Sequence, residues 1–363
     1  MFPATYAGGR YATEKRRVAD REDPVECVVL NSAQSESNHA ELALLDAVER
    51  GDISLPVIEV DFTEANAQLR KDVPNVTSLE VPHRLADAIL RDSVLADGTR
   101  FSKSEYASRW GRANLWNATA IYELCPTALT FGMWGSPEKP GGLGAKFERA
   151  YISEIVGVDA LIVERRSGFR VDPLGASSKV AVVPSGDGGF QVVGEDQKVK
   201  NAQRPSEINH GNIVFDSTNG GVRCRYAEQT TVVSFGALRK LRFPKDGKTD
   251  PARDNAARTV LAAIGIAAGV LAAERGVSLR SRCHLIPTAP RRWELLERPG
   301  ESPVSYSIDS KAAIELLNEA VAAAKGAGLG WMDERLVLKP SPELVELVRR
   351  SQEVAATEDD QEG

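Results

Sequence analysis

Apolar and polar positions divide this chain into short runs of two periods. CVVL (27–30) is a continuous apolar run of the length of a buried strand. SLPVIEVDF (54–62) alternates as a second strand would. Between them lies LNSAQSESNHAELALL (30–45), in which nine residues after Leu30 are almost all small and polar. A helix follows to about Arg50, and Gly51 ends it as a C-terminal glycine does. Two helix starts fit. Asn38 with Glu41 makes a capping box and leaves Ser32 to Ser37 as loop. A start at Ser32 instead places Asn31, Gln34, Ser35 and Asn38 along one face.

Further on, the pattern predicts a helix over 82–95 opened by Pro82, and helical residues over 113–124. It predicts a strand over 126–134, a loop over 135–142, a second helix over 143–156 and a strand over 158–164. Residues 165–225 are rich in Gly, Pro and Asp, with hairpin signals such as SGDGGF (185–190). TTVVSF (230–235) reads as a strand, and 252–275 and 309–325 as helices with a strand-like 278–287 between them. At about 150 residues per domain, 363 residues make two domains or one with large insertions. TVLAAIGIAAGVLAA (259–273) is shorter than the ~20 residues of a membrane span and reads as a helix buried in protein.

Composition changes this picture little: 42% hydrophobic and 26% charged residues describe a soluble globular chain. Charge changes it more. The net charge of −6 argues against a nucleic-acid binder, but the last twelve residues hold five acids and no base. The remainder is close to balanced and permits a basic groove. Cys27, Cys125, Cys224 and Cys283 have neither disulfide-framework nor zinc spacing and read as reduced thiols. The absence of an apolar leader run in the N-terminal sequence leads to the expectation of a cytoplasmic protein.

Three features are candidates for chemistry. In PGGLGAKFERA (140–150), Gly142 and Gly144 before a helix let backbone N–H groups approach an anion, with Lys146 and Arg149 adding charge. Ala145 before that lysine and Phe147 after it break the Walker pattern, so nucleotide hydrolysis is not supported. The polar face of Ser32, Gln34, Ser35, Asn38 and the adjacent His39 suits hydrogen bonds to phosphate and ribose; a plain helix cap is the alternative. Two basic runs without nearby acids suit a polyanion: Arg239, Lys240, Arg242 and Lys245 in the first, Arg280, Arg282, Arg291 and Arg292 in the second. His83 and Asp87 at i, i+4 read as helix support rather than catalysis, and no nucleophile motif or metal-ligand spacing is present.

Taken in order, SAQSESN (32–38), PHRLADAILRDS (82–93), ATAIYELCPTALTFGMW (118–134), GGLGAKFERAYISEIVG (141–157), RVDPLGA (170–176), PSEINHGNI (205–213), YAEQTTVVSFGALRKLRFP (226–244) and LRSRCHLIP (279–287) resemble one family. It is the RAMP-superfamily backbone subunit of type I-G (formerly I-U) CRISPR effector complexes, the Cas-seven family of that subtype. The resemblance covers about residues 25–345. It implies an α+β fold: an RRM-like (ferredoxin-like) antiparallel sheet core with large finger- and thumb-type insertions and a helical C-terminal part. The expected organisation is an exposed arm over 1–24 and a core over 25–250 with insertions at about 63–112 and 165–225. A helical part over 251–345 completes the core, and an acidic tail occupies 346–363.

The same resemblance implies a non-catalytic subunit that multimerises along CRISPR RNA and presents the guide for pairing with a target DNA strand. The implied partners are that RNA, the target strand, further copies of the chain, a Cas-five/Cas-six type fusion subunit and a large subunit. No cofactor or metal is implied. Ser32, Gln34, Ser35, Asn38, His39, Gly142, Gly144, Lys146, Arg149, Arg239, Lys240, Arg242, Arg280 and Arg282 are the expected RNA contacts. The polar turn departs from family practice, which often follows it with Lys or Arg; here no base precedes Arg50. Neutral hydrogen bonding is the mode this leaves. A ribonuclease of the same superfamily is the alternative function.

Overall fold

The structure is a computed structural model. It describes residues 1–19, 21–135, 146–163, 173–177, 179–185, 188–193, 199, 201–208, 210, 221–280 and 282–362, with side chains of the last helix described through 356. In chain order the framework runs β1 (Thr13–Arg16), β2 (Val25–Asn31), α1 (Ala33–Glu49), β3 (Ile58–Val60), β4 (Val76–Thr77) and β5 (Ser93–Val94). It continues through β6 (Met133–Trp134), β7 (Lys146–Phe147), β8 (Tyr151–Val158) and β9 (Tyr226–Val233). The C-terminal third holds α2 (Pro251–Glu274), α3 (Ser310–Gly326), β10 (Leu336–Pro340) and α4 (Pro342–Glu362).

Two four-stranded sheets organise these elements into an α+β fold. The first is fully antiparallel, in the order β9-β8-β2-β1, so residues expected to form a free arm supply its edge strand. The second has the order β4-β3-β10-β5, with β3 and β10 parallel and the other pairs antiparallel. On β8 the alternation is visible in burial: Tyr151, Ser153 and Ile155 are buried, whereas Ile152 and its cross-strand partner Val232 are 43% and 47% exposed. One face of this sheet thus meets the helices, and Ile152 and Val232 lie on the other.

α1 starts at Ser32, whose Oγ accepts from the Ser35 N–H at 3.3 Å. The structure chooses this start over the capping box at Asn38. The helix ends at Gly51, with φ of 76°, where the Asp52 N–H returns to the Ala47 carbonyl in a Schellman closure. Its buried residues Ala40, Leu44 and Ala47 recur at helical spacing and face α2 and β8. α2 is capped by Asp250, which accepts from the Ala252 and Arg253 N–H groups, and opens with Pro251. By length and composition α2 is apolar enough to cross a membrane; here it packs between α1 and α3. Gly265 and Gly269 allow close approach of other segments: a Cβ there would lie 3.1 Å from Val233 of β9 and 3.1 Å from Trp293.

Four expected elements are corrected. Of the helix expected over 143–156, none is found among the described residues 146–156: Lys146–Phe147 and Tyr151–Val158 are strands, because cross-strand partners exist on both sides of β8. The stretch 126–134 is a helical turn (Thr127–Thr130) followed by β6 rather than one strand. The 82–95 helix is broken into turns, since Arg84 takes a left-handed φ of 50° and Asp87 is extended and caps Ile89. Of the strand expected over 158–164, Val158 ends β8 and only Leu161–Ile162 pair elsewhere among the described residues. The expected helices at 252–275 and 309–325 are found as α2 and α3.

Candidate nucleic-acid interface

The first turns of α1 put polar groups both outward and inward. Gln34, Asn38 and His39 are exposed and Ser35 is partly so. Ser32 is partly buried and holds the cap. The N-terminal end of a helix presents unpaired N–H groups and a positive dipole, so this exposed set suits oxyanions. Asn31 does not share the face. It is 7% exposed, donates to Glu36, and its Nδ2 lies 3.4 Å from His39 Nδ1.

Glu36 is the inward group. It is 6% exposed and accepts from Asn31, from the Ser153 hydroxyl at 2.8 Å and from Gln229 Nε2 at 2.6 Å. Three donors from β2, β8 and β9 thus lock the first turn of α1 onto the sheet. This acid of the polar turn faces away from solvent. Sequence spacing gave no sign of this, because all three donors belong to other strands.

One turn further, Glu41 forms a buried bidentate pair with Arg84. Nε and Nη2 each donate at 2.6 Å, and Arg84 Nη1 donates to the Gly132 carbonyl at 2.9 Å. Their side chains are 2% and 8% exposed. Burial pushes the Glu41 carboxyl up to about 7, against the downward pull of Arg84. Arg149 lies beside this pair. Burial, and then the like charge of Arg84, lower its pKa from the usual guanidinium range. Arg149 packs over Gly132, where an added Cβ would meet its Cγ at 2.8 Å and where φ is 84°. Among the described residues it has no hydrogen-bond or ion-pair partner.

The other expected contacts divide. Lys146 is exposed on β7, over the ring of Trp134. Gly142 and Gly144 lie outside the described residues. Arg239 and Arg280 are exposed and, among the described residues, carry no ion pair. Arg282 is exposed and lies 5.8 Å from the centroid of the Phe2 ring. Lys240 is paired with Glu148 at 2.6 Å and Arg242 with Asp254 at 2.9 Å, so these two cations already have acidic partners. Arg291, in the same basic run as Arg280 but not among the expected contacts, is within electrostatic range of Glu36 and Tyr151. Two arginines, Arg149 and Arg291, therefore lie close to acids of α1, Glu41 and Glu36, without ion-pairing to them.

Residues 1–161 match the family described as CRISPR-associated protein GSU0053. The matched segment contains α1 with its polar turn, the Glu41–Arg84 pair, Trp134, Lys146 and Arg149. The match supports a role in a CRISPR system. Arg239, Arg280, Arg282 and Arg291 lie outside the matched segment. No curated protein matches the chain.

Proposed function

We propose that this chain is a non-catalytic backbone subunit that binds CRISPR RNA and lines it in several copies within a type I, Cascade-like surveillance complex of subtype I-G. The observation that carries the proposal is the exposed polar first turn of α1, inside the segment that matches the CRISPR-associated family model. Helix N–H groups and the side chains of Gln34, Ser35 and Asn38 hold phosphate or ribose oxygens. Each neutral contact contributes about 0.5–1.5 kcal/mol. The guanidinium groups of Arg149 and Arg291 supply long-range attraction. In this reading the antiparallel sheet with α1 and α2 is an RRM-like platform. The guide's bases stay free to pair with target DNA. The fusion-type and large subunits of the complex bind around it, and the assembly is cytoplasmic.

Co-expression with a CRISPR array tests the proposal. RNA should co-purify with the protein and show regularly spaced protection from nuclease. Recovery of nucleic-acid-free monomer alone would count against it. Incubation with repeat RNA separates the scaffold from a ribonuclease, since cleavage abolished by one substitution would favour the enzyme. The triple variant Gln34→Ala, Ser35→Ala, Asn38→Ala should bind RNA about 10- to 1,000-fold more weakly. The slope of log affinity against log salt should stay the same, because no charge is removed. A large change of slope would contradict this division between neutral and charged contacts.

A further inference from the structure

β6 and β7 form a two-pair ladder that holds one aromatic ring in solvent. Trp134 is 68% exposed. It is the register partner of Lys146, whose ammonium lies 5.3 Å from the ring centroid. At that exposure the ring cannot be covered on both faces. Its neighbours in the ladder, Met133 and Phe147, are buried at 5% and 4% exposure, so Trp134 is the one exposed apolar side chain of the ladder. A lone ring does not make the broad apolar centre of a protein interface. The surrounding charge fits another ligand. Lys146 makes no ion pair among the described residues. Arg149 packs over Gly132, two residues before Trp134, and is likewise without an ion-pair partner among them. A free aromatic face beside unpaired cations is how single-stranded nucleic acid is held, with a base on the ring and phosphates on the cations.

We propose that Trp134 is a stacking platform for one base of a single-stranded RNA, with Lys146 and Arg149 holding the flanking phosphates. The proposal rests on the RNA-binding reading and adds a site to it. In that site a base of the bound strand is removed from free stacking at the β6–β7 ladder.

The test uses the full chain and a fluorescein-labelled single-stranded RNA, with 2-aminopurine placed at successive positions in parallel oligonucleotides. Stacking on indole should quench 2-aminopurine in at least one register. Trp134→Ala should abolish that quench at saturating protein and weaken binding about tenfold. Its salt slope should equal the wild-type slope. Trp134→Phe should retain part of the quench and stay within about threefold of wild-type affinity. Lys146→Ala should instead lower the magnitude of the salt slope by about 0.7. Wild-type affinity and quench in Trp134→Ala would overturn this proposal alone. Failure of the wild-type protein to bind any of the oligonucleotides would overturn both this proposal and the reading beneath it. Loss of a co-purifying protein from Trp134→Ala, with RNA affinity kept, would reassign the ring to a protein partner and overturn the proposal.

Discussion

Replacing Arg84 with Met should destabilise the protein by about 3–5 kcal/mol, the cost of leaving one member of a buried ion pair without the other. Glu41 would lose both charged donors, and the Gly132 carbonyl would lose the Nη1 bond. The deficit should depend on pH. In the wild-type fold the Glu41 carboxyl titrates near 7, above its ordinary value of 4.5. A raised carboxyl contributes stability below its unfolded value and loses it as pH climbs through the folded one. Without Arg84 the folded value climbs further, so the loss extends to higher pH. The deficit of Arg84→Met should therefore be larger at pH 8 than at pH 5. Chemical unfolding of both proteins at the two pH values measures it. A deficit equal at both would show that Glu41 does not titrate against Arg84.

Glu36→Ala should cost about 3 kcal/mol, somewhat less than the loss of Arg84. Three donors from three strands converge on this carboxylate, and hydrogen bonds to a charged group contribute about 1.5–3 kcal/mol each. The Ser153 hydroxyl can turn to Thr231, 2.9 Å away, which limits the loss. Asn31 keeps only the long contact to His39. The functional effect should exceed the structural one. Glu36 fixes the turn that presents Gln34, Ser35 and Asn38, so RNA affinity should fall although Glu36 itself faces inward. A thermal melt and an RNA titration on the same preparation separate the two effects. An unchanged melting temperature would refute the locking role.

Much of the frame was legible because its signals are local. β2 is a short unbroken apolar run, α1 carries a cap at Ser32 and a glycine at 51, and α2 joins a Pro-opened cap to a long Ala-rich run. β8 was misread because Phe147, Tyr151 and Ile155 recur every four residues, as on a helix face. In the fold, Tyr151, Ser153 and Ile155 instead form the two-residue alternation of a strand between β2 and β9. A local period cannot register partners that arrive more than 70 or 120 residues away, as Thr231 does for Ser153 and Asn31 for Ile155. The candidate site shows the same limit. Gln34 and Asn38 were readable from helical spacing. Glu148, which pairs with Lys240, is 92 residues from it, so the basic run looked freer than it is. Arg84 lies in a stretch that read as a helix, and only the fold turns it inward to Glu41.

The parallel pairing of β3 with β10 sets a timetable for synthesis. Ile58 and Leu336 are register partners, and Asp61 and Lys339, 278 residues apart, close the same junction with an ion pair. At about 5–20 residues per second, the ribosome takes on the order of half a minute to make the second strand after the first. During that interval β3 has only β4, its other neighbour in the sheet, as a partner. Its open edge is an invitation to wrong partners. Slow closure of this kind favours production at low temperature and low expression rate, where nascent chains meet one another less often before the last strand arrives.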